Sequence, residues 1–382
     1  MHILVIPSWY SNPRNPVLGS FFKEQALALQ KFGHKITIAY NEIWPLTLIG
    51  KIHEKKGISF NIEEGLNTYR YKNYNYLPKN PLMFRIFNRR MEKLLKHIIN
   101  KEGKPDLIHA HSAFWGGISA AYISEKYNIP LVLTEHSSLK HSRYMKYSYV
   151  PHISYAYNKA DCIIAVGNSL KEELKNYTSN NRIKVIPNMV NLDKFLDANS
   201  STNSSSEFVF FSLAFLEPGK GMDTLIKAFG KALNKEQNMK LFIGGTGSEI
   251  EYLRNLIISL DLQDKIELLG ALSREKVAEY MNKCDCFVLA SESETFGVVY
   301  IEALAAGKPI VGTKNGGAED IIKPFNGLLT EIGNIHHLSD AMIYIKENYH
   351  KYDKKHIREQ CLKEYSPRNI VDKINNVYEE IL

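Results

Sequence analysis

Two carboxylates eight residues apart are the side chains of this chain most suited to chemistry. Glu294 and Glu302 lie in the segment 291–312, which reads S-E-S-E-T-F-G-V-V-Y-I-E-A-L-A-A-G-K-P-I-V-G. The apolar run after Gly297 predicts a helix that begins there, with Glu294 on the preceding loop and Glu302 about one and a half turns in. Free N–H groups at that N-terminus suit a diphosphate, and a neighbouring carboxylate suits sugar hydroxyls.

Two further polar pairs end strand-like runs in the first half of the chain. In L-I-H-A-H, alternation places His109 and His111 on one face, and His111 stands at the carboxyl end of the strand. Ligands of doubly wound sheets bind at such ends, so we predict a site role for His111 and a core role for His109. Glu135 and His136 end the next strand similarly, and we predict that they contact an acceptor substrate.

Three strand-to-helix loops carry glycine or lysine. Gly19 precedes a helix that starts near Ser20, Lys220 lies in L-A-F-L-E-P-G-K-G, and Gly245 and Gly247 follow the strand L-F-I-G. Glycine lets a phosphate approach the backbone, and lysine neutralises charge on a leaving diphosphate. Each loop, taken alone, has a simpler explanation. The Gly19 loop could be a plain helix entry, Lys220 could be a solvated lysine, and Gly245 and Gly247 could form an ordinary glycine turn.

Strand and helix patterns alternate along the whole chain and must position these residues. Short β-rich runs, from H-I-L-V-I to N-G-L-L-T, are separated by amphipathic helical segments, which predicts parallel sheets covered on both faces. The alternation occurs in two series, so we predict an α/β protein of two Rossmann-like doubly wound domains that face a cleft.

The predicted domains span residues 1–190 and 191–365. A turn-like segment, N-M-V-N-L-D-K-F, marks the hinge near residues 188–195, and the Ser/Asn-rich stretch 197–207 is predicted to be a solvated, mobile loop. The tail 366–382 has helical apolar spacing and is predicted to form a terminal helix.

Composition and charge narrow the class of protein. The 382 residues are 44% hydrophobic and 23% charged, and the chain has no run of 18 apolar residues or signal-peptide pattern. Four cysteines without metal-type spacing predict packed thiols in a reduced, cytoplasmic protein. The net charge is +13 over residues 1–190 and −6 over the remainder, so the first half favours an anionic surface or substrate.

Taken together, these motifs resemble family-four retaining glycosyltransferases of the GT-B fold. The resemblance covers nearly the whole chain and is carried by E-x7-E, by the P-G-K-G loop and by the pair Gly316-Gly317 in T-K-N-G-G-A-E. It implies transfer of a sugar from a nucleotide diphosphate sugar, a UDP-sugar by family frequency, to an acceptor hydroxyl. The basic first half of the chain favours a glycan or polyprenyl-linked acceptor, and the Ile/Lys/Asn-rich composition points to cell-surface polysaccharide biosynthesis in a bacterium. The resemblance also implies that the terminal helix crosses back onto the first domain.

The resemblance implies a role for each site residue. Glu294 binds donor-sugar hydroxyls, Glu302 holds the ribose hydroxyls, and His111 lies near the donor sugar and the reacting centre. Lys220 stabilises the leaving diphosphate, and backbone around Leu272 borders the nucleobase. The predicted donor-binding set is completed by Gly19, Gly245, Gly247, Phe296, Gly297, Val298 and Val299.

The chain departs from the family pattern at one position. The family's arginine in R-L-x-P-x-K-G falls at Ala214 or Phe215. Of the arginine and lysine that hold the diphosphate in the family, only the lysine, Lys220, is therefore present in this loop. We expect no metal site and no cofactor, because the lysine and helix N-termini stabilise charge in such enzymes. The alternatives are a non-catalytic nucleotide-sugar or glycan-binding protein and a sugar-nucleotide epimerase.

The segment 82–104 is a basic amphipathic helix preceded by four tyrosines, Tyr69, Tyr71, Tyr74 and Tyr76. It favours either peripheral contact with anionic lipid at the inner face of the membrane or a surface helix with a solvated basic face. Nucleic-acid binding is not predicted, because no recognisable nucleic-acid module accompanies the patch.

Overall fold

The computed structural model describes residues 1–12, 14–15, 18–140, 142, 145–196 and 207–382. The loop predicted at 197–207 lies outside the described residues apart from Glu207. The chain divides into two compact units: unit 1 comprises Met1–Met189 with Pro367–Leu382, and unit 2 comprises Val190–Ser366.

Unit 1 is built on an eight-stranded sheet with the order β3-β4-β2-β1-β5-β6-β7-β8. Its strands are β1 (His2–Pro7), β2 (Lys35–Trp44), β3 (Gly57–Glu63), β4 (Leu66–Tyr74), β5 (Leu107–His111), β6 (Leu131–Glu135), β7 (Cys162–Ala165) and β8 (Ile183–Val185). The pairs from β4 to β8 are parallel, whereas β3 pairs antiparallel with β4.

Helices cover both faces of this sheet. They are α1 (Ser20–Lys31), α2 (Met83–Glu102), α3 (Ile118–Tyr127), α4 (Val150–Lys159) and α5 (Asn168–Leu174). Consecutive residues of β1, from Ile3 to Ile6, are all buried although they point to opposite faces, as expected of a sheet covered on both sides.

Unit 2 has a six-stranded parallel sheet with the order β11-β10-β9-β12-β13-β14. Its strands are β9 (Phe208–Leu213), β10 (Met239–Gly244), β11 (Ile266–Gly270), β12 (Cys286–Leu289), β13 (Ile310–Thr313) and β14 (Gly327–Thr330). Its helices are α6 (Met222–Leu233), α7 (Ile250–Ser259), α8 (Arg274–Lys283), α9 (Val298–Ala305), α10 (Ala318–Ile321), α11 (Ile335–Glu347) and α12 (Lys354–Tyr365).

Both sheets are doubly wound, which confirms the predicted fold class. In unit 1 the chain builds outward from β1 to β2 and β4, then returns to place β5 on the other side of β1. In unit 2 the same reversal occurs between β9 and β12. Ligands of such sheets bind at the carboxyl ends of the strands where the order reverses, so β1/β5 and β9/β12 mark the two candidate positions.

The terminal helix α13 (Pro367–Ile381) packs in unit 1. One face of it is buried with α1 and the sheet through Ile370, Val371, Ile374, Val377 and Tyr378. The Tyr378 hydroxyl lies 2.6 Å from Nδ1 of His109 on β5, so the helix is also tied to the sheet by a buried hydrogen bond.

The edge of the unit 1 sheet was not predicted. Three of the four tyrosines, Tyr69, Tyr71 and Tyr74, lie on β4, which forms a hairpin with β3 at the sheet edge. The sequence of β4, L-N-T-Y-R-Y-K-N-Y, contains no apolar run, and Tyr71, Lys72 and Asn73 are only partly buried although the strand is paired on both sides. The longer β2, which extends to Trp44, pairs with β4 from Thr37 to its end.

The amphipathic helix 82–104 is α2, and its apolar face is not available to a membrane. Phe84, Phe87, Met91 and Leu94 are buried in unit 1. Arg90, which the sequence places with the basic residues, is also buried, and its Nη2 donates to the Tyr74 carbonyl at 2.7 Å. Among the described residues, no helix has the length and apolarity needed to cross a bilayer.

Replacing Tyr378 by Phe tests how α13 is held. The change leaves Nδ1 of the buried His109 without its hydroxyl partner, so we expect the free energy of unfolding of unit 1 to fall by about 1–3 kcal/mol. Tryptophan fluorescence during urea unfolding reports unit 1, because Trp9, Trp44 and Trp115 all lie there. Tyr147→Phe is the matched control, since Tyr147 is 93% exposed, and equal midpoints for the two variants would contradict the role of the hydrogen bond.

Candidate functional site

The loops that follow β9 and β12 meet at the reversal point of unit 2. The Glu292 N–H donates to the Gly219 carbonyl at 2.9 Å. Gly221 has a φ of 64°, and a Cβ there would lie 2.0 Å from the Ala290 carbonyl oxygen, so only glycine permits this approach. The close contact brings Lys220 to Glu294, with Nζ 2.7 Å from Oε1 in a half-buried ion pair.

Helix α9 begins beside this pair. It starts at Val298 after Gly297, whose φ is 92°, which confirms the helix start predicted from the sequence. A Cβ on Gly297 would approach the Tyr300 ring to 2.4 Å, so the tight entry requires glycine. The first residues, including Val299, lack intrahelical acceptors for their N–H groups, which makes this end of the helix suitable for an anion.

Glu302 lies in the second turn of α9 and is 2% exposed. Its carboxylate is paired with the guanidinium of Arg274, the first residue of α8, and that guanidinium also lies 5.6 Å from the centre of the Phe195 ring. Sequence reasoning missed Arg274. The available signal was the position of Glu302 within the apolar run V-V-Y-I-E-A-L-A-A, because a carboxylate that such a helix buries needs a cation or several hydrogen bonds.

Asn315 joins the E-x7-E segment to the loop after β13, and sequence reasoning missed it too. Its carbonyl accepts the Glu294 N–H at 2.9 Å, and its side-chain Nδ2 donates to the Tyr300 hydroxyl at 3.0 Å. Its Oδ1 accepts the N–H groups of Gly317 and Ala318. The buried amide therefore holds Glu294, α9 and the predicted glycine pair in one arrangement.

The predicted donor glycines Gly245 and Gly247 approach the protein itself. A Cβ on Gly245 would lie 1.8 Å from the Ala214 carbonyl oxygen, and one on Gly247 would lie 2.1 Å from that of Leu216. Packing of the β10–α7 turn against the loop after β9 therefore requires both glycines, and their donor-binding role stays a prediction. Half-buried Leu272 lines the β11–α8 loop, and Phe296 is buried.

The loop after β9 lacks the family's arginine, as the sequence shows, and Phe215 there is 74% exposed. Lys220 and Arg274 are the cations that contact the two motif carboxylates Glu294 and Glu302. A helix N-terminus flanked by two such pairs suits a ligand that carries both negative charge and hydroxyl groups.

In unit 1 a chain of buried histidines ends β5 and β6. His136 lies with Nδ1 2.7 Å from Oδ1 of Asn188 and Nε2 3.0 Å from Nδ1 of His111. With Asn188 as acceptor, His136 carries its proton on Nδ1 and His111 donates from Nδ1. His111 therefore retains Nε2 as a hydrogen-bond acceptor, and its ring packs 4.8 Å from that of Phe22.

Burial keeps these rings neutral. It lowers the pKa of His136 to about 3, against a smaller raising effect from the hydrogen bond with Asn188. Burial, and then the nearby His136, lower the pKa of His109 to about 3. The pKa of His111 falls well below its usual range because of burial and then the two neighbouring histidines.

Gly19 and Glu135 occupy different surroundings in unit 1. Gly19 caps α1 with a φ of 71°, and a Cβ there would lie 2.7 Å from the Trp9 carbonyl oxygen, so the β1–α1 loop turns tightly at the reversal point. Glu135 is 1% exposed and accepts from the Tyr157 hydroxyl and from the N–H groups of Ala113, His136 and Ser137. We therefore remove Glu135 from the acceptor-binding set, because its carboxylate already organises the loops after β5 and β6.

Comparison with known proteins identifies the family. Residues 18–194 match the sequence profile "Glycosyltransferase Family 4", and residues 193–361 match "Glycosyl transferases group 1". An uncharacterized glycosyltransferase of Methanocaldococcus jannaschii is 34% identical over 76% of this chain and 79% of its own length. The chain belongs to glycosyltransferase family 4. The putative teichuronic acid biosynthesis glycosyltransferase TuaC of Bacillus subtilis is 27% identical over 90% of this chain and 88% of its own.

Solved structures place this glycosyltransferase in the GT-B fold. Sucrose-phosphate synthase from Thermosynechococcus elongatus superposes with a TM-score of 0.79 at 18% identity, covering 100% of this chain and 99% of that one. HepE from Anabaena in complex with UDP superposes with a TM-score of 0.76 at 19% identity, with complete coverage of both chains.

The neutral histidines predict acid sensitivity of this glycosyltransferase. A histidine whose pKa is depressed in the folded state binds its proton only on unfolding, so its contribution to stability is lost as the pH falls below about 6.5. We expect the stability of unit 1 to fall from pH 7 to pH 5, with His109 accounting for roughly 2 kcal/mol at most. His109→Gln should reduce this pH dependence and exposed His53→Gln should not, as followed by tryptophan fluorescence. Equal pH dependence in the two variants would contradict the interpretation.

Proposed function

We propose that this glycosyltransferase transfers a sugar from a UDP-sugar, with retention at the anomeric carbon, to a hydroxyl of a glycan or polyprenyl-linked acceptor in cell-surface polysaccharide biosynthesis. The observation that carries the proposal is the Lys220–Glu294 pair, which lies where the strand order of unit 2 reverses and beside the N-terminus of α9. That position combines a cation, a carboxylate and helix N–H groups within one ligand's reach.

Donor binding exchanges the two ion pairs for contacts with the ligand. The donor-sugar hydroxyls donate hydrogen bonds to Glu294 and the ribose hydroxyls donate to Glu302. Lys220 and Arg274, the present partners of these carboxylates, then become free to contact the nucleotide. The diphosphate is then held by Lys220 and by the N–H groups of Val298 and Val299. Hydrogen bonds between carboxylates and hydroxyls are charge-assisted, which offsets the loss of the protein's own pairs.

The reaction proceeds on one face of the sugar. The bond between the anomeric carbon and the β-phosphate oxygen breaks while the acceptor oxygen bonds to that carbon from the same side. The acceptor's proton passes to the departing phosphate oxygen, so the products are UDP and the new glycoside. Lys220 stabilises the charge that develops on the phosphate, and this is the interaction that strengthens most in the transition state. His111 receives a sugar hydroxyl at Nε2.

Relatives support the choice of nucleotide and pathway. Structures of Anabaena HepE contain UDP, UDP-glucose, or UDP with glucose, and a structure of Staphylococcus aureus TarM contains UDP. TuaC is a putative enzyme of teichuronic acid biosynthesis, and WaaB, a further structural neighbour, is a lipopolysaccharide outer core galactosyltransferase. Peripheral contact of 82–104 with anionic membrane is proposed to use the exposed basic residues of α2, such as Arg85 and Lys93.

Removing the cation or the carboxylate should slow transfer. We expect Lys220→Ala and Glu294→Gln each to lower kcat by about 10²–10³-fold, because each removes a group that acts on the developing charge or the donor sugar. The assay is release of UDP from UDP-sugars in the presence of acceptor. Lys314→Ala is the matched control, because Lys314 forms an exposed ion pair with Glu331 on a neighbouring loop of unit 2. Near wild-type rates in both site variants would refute the assigned roles.

The stereochemistry and the metal requirement are tested together. Proton NMR of the product formed from an α-linked UDP-sugar should show an α-linkage, and turnover should be unchanged by EDTA, because Lys220 and α9 supply the charge stabilisation. A β-linked product or loss of turnover with EDTA would contradict the mechanism. Donor conversion without acceptor would indicate an epimerase, and binding of UDP without turnover would indicate a binding protein.

A further inference from the structure

A charged cavity of about 380 Å³ lies in unit 1 between the β1–α1 loop and the hairpin of β3 and β4. Its volume is in the range of small-molecule sites, but its lining is almost entirely charged or amide-bearing. Ser11 and Asn12 of the loop form one side, and polar side chains of β2, β3 and β4 form the other.

The floor of the cavity is a buried ion pair. Arg70 of β4 and Glu42 of β2 have side chains 6% and 4% exposed, with Nη1 3.1 Å from Oε2. Arg70 also binds both carboxylate oxygens of Glu63 and donates to the Ser11 carbonyl. The Trp44 indole donates to the other Glu42 oxygen at 2.9 Å. These contacts hold the charged floor in one geometry.

The walls repeat this pairing. Lys72 is paired with Glu54, and Lys23 is paired with Glu64 at the rim. The cavity is lined by four carboxylates and three cations, and Arg14, which contacts Glu42 and Glu54, supplies a fourth cation. The charges of the cavity therefore balance, although residues 1–190 as a whole carry +13.

The cavity lies close to the reversal point of unit 1. Glu42 and Lys72 are register partners near the carboxyl ends of β2 and β4. Strand β1 alone separates β2 from β5, which ends at His111, so the two strands lie roughly 10 Å apart. This spacing suits a ligand with one sugar near His111 and the next in the cavity.

We propose that this cavity is an acceptor subsite that binds a neutral, polyhydroxylated sugar unit. Each hydroxyl both donates and accepts a hydrogen bond, and alternating carboxylates and cations serve both functions. A net-charged ligand gains no overall attraction from a balanced lining, and an apolar ligand would leave buried charges without solvent. The inference rests on the proposed transferase function, because it names the class of acceptor.

Saccharide binding to the full chain, measured by titration calorimetry without donor, tests the subsite. The probes are cellobiose, maltose, lactose and N,N′-diacetylchitobiose, compared with glucuronic acid and glucose 6-phosphate. We expect at least one neutral disaccharide to bind more tightly than either anion. Glu54→Gln and Lys72→Met, on the cavity walls, should weaken that binding by about tenfold, because each removes a charged hydrogen-bonding group.

Glu125→Gln is the matched control, because Glu125 forms an exposed ion pair with Lys159 in the same unit and should bind like the wild type. A UDP-induced thermal shift in each variant shows that it remains folded. Binding of no neutral disaccharide, preference for the anions, or equal affinity in wall variants and control would overturn the subsite. The binding assay needs no turnover, so it separates the two proposals. UDP release without saccharide binding would refute the subsite alone, whereas saccharide binding without UDP release would refute the transferase function.

Discussion

The close backbone contact between the loops after β9 and β12 is the constraint on which the candidate donor site depends. Space for a single hydrogen atom at Gly221, opposite the Ala290 carbonyl, allows the two loops to touch. The same contact places Lys220 on Glu294, and Asn315 then locks Glu294 to α9 and to the loop after β13. A side chain at Gly221 would separate the cation from the carboxylate before it affected the rest of the sheet.

In both units, buried polar groups form ion pairs or hydrogen bonds with other groups of the protein. In unit 2 the two motif carboxylates each hold a cation, so neither is left uncompensated beside the start of α9. In unit 1 the histidines remain neutral and are hydrogen-bonded, His136 to the Asn188 side-chain oxygen and His109 to the Tyr378 hydroxyl. In the cavity beside β4, cations pair with the carboxylates. Binding a ligand that replaces the hydrogen bonds of such groups carries a smaller free-energy penalty than binding one that leaves them without partners.

The excess charge of unit 1 and the chemistry of its cavity are separate properties. Basic residues of α2 such as Arg85 and Lys93 lie on the surface, whereas Arg90 and the apolar face of the helix are buried in unit 1. On the proposed function, long-range attraction would come from the surface and short-range selection from the balanced cavity. A glycan carried on an anionic lipid would satisfy both, with its sugar in the cavity and its charge at the surface.

The sequence alone determined the alternating α/β architecture and the start of α9 after Gly297, and it selected Lys220, Glu294 and Glu302, which the structure places in or beside that helix. These predictions follow from local periodicity and from glycines, which mark positions where the backbone turns tightly. Tertiary structure decided the rest. Arg274 at the start of α8 and Asn315 on the loop after β13 contact the motif from outside it, Glu135 is occupied by backbone donors and the Tyr157 hydroxyl, and Gly245 and Gly247 serve internal packing. The hairpin of β3 and β4 escaped prediction because its strands contain no apolar run, and its cavity escaped because ion pairs such as Arg70 with Glu42 join residues that are far apart in the chain.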